Sequence, residues 1–121
     1  MKTTWLGIYD RGNIANERVH FRALADIDLQ FCAIVDTQYQ TVQGLIEVNN
    51  KNCFWFSPYP VKAGQNVVVY TRAGVPNFET RADGSMFHFF FRGLGQPLYQ
   101  PVHRCAVLLE INSWITTAWG S

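Results

Sequence analysis

Few residues of this chain have the types and spacing that chemistry needs. His103 and Cys105 stand two apart in the run HRC, so on a strand they point to one side. Zinc would need two further ligands, and Cys32 or Cys53 could reach only through the fold; no CxxC pair accompanies them. As nucleophile and base the pair is poorly disposed, because i,i+2 side chains on a strand lie parallel rather than within hydrogen-bond reach. Asp26 and Asp28 share one face of DIDLQFCAIVD and resemble a carboxylate pair, but exposed acids at a strand entrance explain them better. No GxSxG, HExxH or Walker loop occurs. The sequence therefore predicts no catalytic residue, no metal site and no cofactor: a non-enzyme, with a hydrolase built from loop residues as the remote alternative.

Binding chemistry is better represented. Arg72, Arg81, Arg92 and Arg104 lie in or beside the turns of the second half, near Tyr70, Phe78, Phe91 and Tyr99. Arginines mixed with aromatic rings can make a surface that stacks bases and holds phosphates. Glu79, Asp83 and Glu110 dilute that field. The formal charge is +1, from ten basic and nine acidic residues, which argues against a broad nucleic-acid footprint and leaves room for a local basic patch. In MFHFFFR, Phe87, Phe89 and Phe91 point one way while Met86, His88 and Phe90 point the other. A sandwich strand needs one apolar face, so the second is covered by a loop or by a partner. The expected contact surface gathers Phe78, Arg81, His88, Phe90, Arg92 and Tyr99, with Arg72 at a strand exit. The expected partner is a protein or a second copy of the chain, with nucleic acid or another polyanion as the alternative.

The elements that must position these residues read as strands. RVHF alternates Val19 and Phe21 against Arg18 and His20, an exposed basic face. DIDLQFCAIVD places Ile27, Leu29, Phe31, Ala33 and Val35 on one face and Asp26, Asp28, Gln30, Cys32, Ile34 and Asp36 on the other. LIEVNN is a short strand ending in the turn formers Asn49 and Asn50, and CFWF ends by Ser57 because Pro58 and Pro60 cannot donate to a ladder. NVVVYT is the best central strand. AGVPNFETRADGS reads as a long loop with Asp83-Gly84 as its reversal, and MFHFFFR, CAVLLEI and the closing WITTAW follow as strands. Gly64 and Gly74 flank NVVVYT, but a phosphate cradle follows a strand and opens a helix, whereas Gly64 precedes β-branched residues. Gly64 is a turn residue, and Arg72 alone keeps a claim to binding there. No capped amphipathic helix appears. The fold class is all-β: an antiparallel immunoglobulin-like β-sandwich of about six to eight strands in a single domain.

The apolar fraction of 48% and nine Phe, five Tyr and four Trp exclude a disordered chain. Cys32, Cys53 and Cys105 each sit within or beside an apolar run, where a free thiol behaves as a small hydrophobe. The first residues, MKTTWLGIYDRG, lack the apolar core of a leader, and no run is long enough to span a membrane. The expected setting is cytoplasmic or otherwise intracellular, without membrane insertion.

Read in order, ERVHF, DLQFCAIVD, FWFSPYPVKAGQNVVVYT, RAG, FFRGLGQPLY and CAVLL resemble the lamin tail domain, an immunoglobulin-like sandwich. The resemblance spans roughly residues 14 to 119, with the earlier residues as a short N-terminal extension, and rests on order and spacing more than on a diagnostic motif. Phe31 stands where that family has tryptophan, Ala63 replaces the proline before the turn glycine, and QPVHR occupies the place of an asparagine-rich turn. The resemblance implies an interaction or structural module with no common catalytic residues.

Overall fold

The computed structural model describes residues 1–40, 45–47, 53–100 and 104–116, with the backbone alone for 38–40 and 45–47. These hold eleven strands and one 3-10 turn. In chain order the strands are β1 (Thr3–Tyr9), β2 (Arg18–Ala23), β3 (Ile27–Asp28), β4 (Cys32–Gln40), β5 (Leu45–Glu47), β6 (Cys53–Trp55), β7 (Pro60–Val61), β8 (Asn66–Tyr70), β9 (Asn77–Thr80), β10 (Met86–Phe91) and β11 (Arg104–Glu110). A five-stranded sheet runs β1-β2-β8-β10-β9; a second runs β11-β4-β5, with β6 also on β4; β3 and β7 form a small ribbon. The all-β sandwich-like class holds, with more strands than the alternation predicts. No helix among the described residues is long and apolar enough to cross a membrane.

The two sheets close on one core. Val19, Phe21 and Ala23 of β2 and Val67 and Val69 of β8 meet Cys32 and Ile34 of β4 and Phe56 beyond β6. Burying each of these larger side chains contributes about 1.5–3 kcal/mol before the entropy of ordering is counted. At the far edge Glu110 of β11 accepts from the N–H groups of Lys2 and Thr3 and from the Thr3 hydroxyl, which ties the second sheet to β1. The residues before position 14, expected as an extension, thus supply an edge strand.

Three further expectations change. Within DIDLQFCAIVD the turn Leu29–Phe31 interrupts the strand, and the Asp28 carboxylate caps it through the Gln30 N–H. A one-residue change of phase flips a strand's faces. Ile27 and Leu29 therefore face the core before the turn and Cys32 and Ile34 after it, while Phe31 is exposed. The stretch AGVPNFETRADGS contains β9 rather than loop alone. Finally, one pairing is parallel: β8 runs alongside β10 from Asn66↔Phe87 to Tyr70↔Phe91.

The parallel pair has a local cause. The chain leaves β8 at Tyr70, crosses beyond the end of β10, forms β9 at the sheet edge, and returns through Asp83-Gly84 as β10 between them. Gly74 makes the crossing possible, since a Cβ there would lie 2.5 Å from Cδ2 of Phe91. Gly64 takes φ +89° in the turn before β8, as its expected role requires. The end of WITTAW lies outside the described residues, and 114–116 carry no strand.

Candidate binding face

Strand parity divides the predicted contact residues between the inside and the outside. Four of the seven turn inward, and the contact surface expected from them is not formed. His88 and Phe90 pair in register with the buried Val67 and Val69, so they share the core side of β10. His88 accepts at Nδ1 from the Tyr59 hydroxyl (2.8 Å) and donates from Nε2 to Gln65 Oε1 (2.9 Å); burial holds its pKa below the ordinary value. Phe90 packs edge-on against Phe56 and Tyr59. Tyr99 is fully buried and donates to Asp36 Oδ1. Arg92 reaches the same carboxylate, 2.8 Å from Oδ1 and 2.7 Å from Oδ2, with both side chains sealed from water.

A second buried acid explains why this end of the sandwich stays closed. Glu17 accepts from the N–H groups of Gly12, Leu98 and Tyr99 and from the Thr71 hydroxyl, at 2.6–3.0 Å. One carboxylate thereby joins the N-terminal loop, the exit of β8 and the loop after β10. Burial raises its pKa, but the four donors outweigh burial and leave it below its ordinary value. Burial, with Asp36 beside it, pushes the Tyr99 hydroxyl far up. These groups are internal struts.

The outer face of the five-stranded sheet is different. Register puts Tyr9, Arg18, His20, Val68 and Tyr70 on it from β1, β2 and β8, together with Phe87, Phe89 and Phe91 of β10. Guanidinium groups lie over the rings: Arg81 is 3.8 Å from the Phe87 centroid, and Arg72 is 4.7 Å from Tyr70 and 5.0 Å from Phe91. Arg18 stands over Tyr9 at 5.3 Å. Each such contact contributes about 0.5–1 kcal/mol at an exposed site and holds the guanidinium in place. Between Arg18 and Arg81 lies an open groove of about 290 Å³, floored by Val68 and Phe89.

Charge on this face is unbalanced towards positive. Arg18 pairs with Asp10 and Arg81 with Glu79, whereas Arg22 and Arg72 have no carboxylate partner among the described residues. His20 lies in the groove between the Tyr9 and Phe87 rings and donates from Nε2 to Asn66 Oδ1. Burial lowers its pKa, the Asn66 bond opposes this, and Arg22, Arg18 and Arg81 lower it further, so the ring is neutral at pH 7.

Of the predicted contact residues, Arg72 and Arg81 stand on this face. Phe78 sits on edge strand β9, opposite His88 and 64% exposed, on the other side of the sheet. Sequence reading placed Phe87, Phe89 and Phe91 together but did not join them to Tyr9, Arg18 and His20, because only cross-strand register does so. His103 lies outside the described residues, so the pair it forms with Cys105 does too. Asp26 and Asp28 accept backbone N–H groups of Ala63 and of Gln30 and Tyr59, which makes them turn anchors. All three cysteines are free, and burial pushes the Cys32 thiol up to about 11. No cluster of His, Cys, Asp and Glu among the described residues is placed to hold a metal ion. No protein-family model, curated protein or solved structure matches this chain.

Proposed function

We propose that this chain is a non-enzymatic binding module that holds an anionic macromolecular partner on the outer face of its five-stranded sheet. The observation that carries this reading is the set of guanidinium groups fixed over aromatic rings around an open groove. The groove draws its lining from four neighbouring strands, β1, β2, β8 and β10, which suits a polymer laid across the sheet more than a small molecule. Four arginines against two ion-paired carboxylates supply complementary charge and a salt-dependent on-rate. The lamin-tail-like order of segments, in a family of interaction modules, supports the same class of function. The test is binding to heparin at about 50 and 200 mM salt, with Arg72→Glu and Arg81→Glu as variants. Binding that weakens with salt and is lost on charge reversal supports the reading; binding indifferent to both overturns it.

A second reading, self-association, is favoured by the opposite surface. There Trp55 and Trp114 meet edge-on at 5.2 Å, Phe31 lies tilted against Trp114 at 5.5 Å, and Trp55, Trp114, Phe31 and Leu109 are all exposed. Such a patch suits an isologous contact better than the like-charged arginine face does. Light scattering at high micromolar concentration tests it: a mass that stays monomeric removes this form.

A further inference from the structure

We infer that the partner of the arginine face is single-stranded DNA, gripped by stacking of an unpaired base on Phe89 between phosphate contacts to Arg81 and to Arg72 or Arg18. This rests on the anionic-partner reading and names the polymer. On β10 the rings of Phe87, Phe89 and Phe91 repeat at every second residue, with Phe87 and Phe89 nearly parallel and 6.3 Å apart. Tyr70 of the neighbouring β8 stands 6.3 Å from Phe89 and 5.3 Å from Phe91. Guanidinium groups lie over Phe87, Tyr70 and Phe91, but none lies over Phe89 among the described residues. Phe89 is thus a half-buried ring that lines the groove without a guanidinium over it, and Arg18 and Arg81 line the same groove.

An acidic peptide or a sulfated sugar would satisfy the arginines and leave that ring against water or polar chain. A nucleotide chain supplies both partners, phosphate for guanidinium and a flat base for the ring. A duplex hides its base faces inside the stack, so the strand must be single. The side chains of Val68 and Phe89 carry no hydrogen-bonding group, so a sugar seated directly on them is favoured as deoxyribose, while Tyr9, His20, Tyr70 and the arginines stand around that floor. Two phosphate contacts correspond to a salt slope of about −1.4 for a single strand.

The experiment is fluorescence anisotropy with a labelled thymidine strand of about 12 nucleotides, an abasic strand of equal length, the RNA equivalent, a duplex and poly-glutamate. The thymidine strand should bind roughly tenfold more tightly than the abasic strand, which has the same phosphates. Phe89→Ala should remove that difference, so that the thymidine and abasic strands bind alike. Phe89→Leu, which keeps the strand apolar, should do the same, and the melting temperature of each variant reports its folding. Arg81→Ala should weaken both strands and reduce the salt slope by about 0.7. Equal binding of thymidine, abasic and poly-glutamate chains overturns the stacking inference and leaves the anionic-partner reading standing. Tighter binding of the duplex, or of RNA, also overturns it, and no binding to any polyanion at low salt overturns both.

Discussion

Arg92 and Arg72 leave the ends of adjacent strands in the same sheet, and they have opposite roles. Arg92 follows β10 inward, meets Asp36 and the Tyr99 hydroxyl, and is sealed from water. Arg72 follows β8 outward, lies across Tyr70 and Phe91, donates to the Ala15 carbonyl and has no carboxylate partner among the described residues. Both environments are made of arginine, tyrosine and phenylalanine. The difference is dielectric. Inside, an arginine must be matched by a carboxylate and hydrogen bonds, and losing the match is costly; outside, water solvates it and the charge stays available to a ligand.

The strongest way to break the comparison is Asp36→Ala, which leaves Arg92 charged, buried and unpaired. It should cost about 3–5 kcal/mol in urea unfolding, whereas the double variant Asp36→Leu/Arg92→Met should recover most of that loss. If Asp36→Ala is neutral, the pair is not sealed. Glu17→Gln keeps the shape of the strut but opposes its backbone donors with an amide; a loss of about 2–3 kcal/mol is expected, with polyanion binding unchanged for the folded fraction. Gly74→Ala drives a methyl into Phe91 and should cost about 1–3 kcal/mol, loosening the crossing that carries Arg72. The exterior arginines should behave in the reverse way. Arg72→Ala should change stability by less than about 1 kcal/mol while weakening polyanion binding several-fold, and a large drop in melting temperature would show it to be a strut like Arg92.

Acid should weaken the fold in two steps. His20 and His88 both have pKa values lowered below the ordinary 6.5, so the unfolded chain takes up protons that the folded chain refuses. Their contribution is complete above pH 6.5 and is lost as pH falls below it. Glu17 and Glu110, lowered below 4.5, add stability that is present above that value and lost as pH falls through their folded values. Urea midpoints at pH 7.5, 5.5 and 4 measure both steps; a midpoint flat from 7.5 to 5.5 would mean that neither histidine is held neutral by its site.

Much of the architecture was legible. The alternation in RVHF, NVVVYT and MFHFFF placed β2, β8 and β10 and the faces of each, and the proline pair after CFWF marked where β6 stops. The candidate site was legible in its pieces, Arg72, Arg81 and the odd-numbered phenylalanines. What misled was grouping residues by nearness in sequence: Arg92 and Tyr99 lie close to Phe91, yet the carboxylates that draw them inward are Asp36 and Glu17, far back in the chain. Asp36 and Glu17 gave no signal of burial, because an acid beside a strand is exposed unless distant donors converge on it. The switch of face at Leu29–Phe31 was hidden for a similar reason, since the continuous apolar run fits either phase.

By itself, the sequence determined that this is a β protein with a ring-rich strand apolar on both sides, because side-chain direction in a strand has a period of two that neighbouring residues set locally. Only the tertiary structure decided which of those rings share a surface and which arginines reach it. That choice depends on strand order, a parallel crossing made possible by Gly74, and two buried carboxylates that bind donors from distant segments. Each of these is a long-range contact whose favourable free energy appears only once the whole sandwich closes.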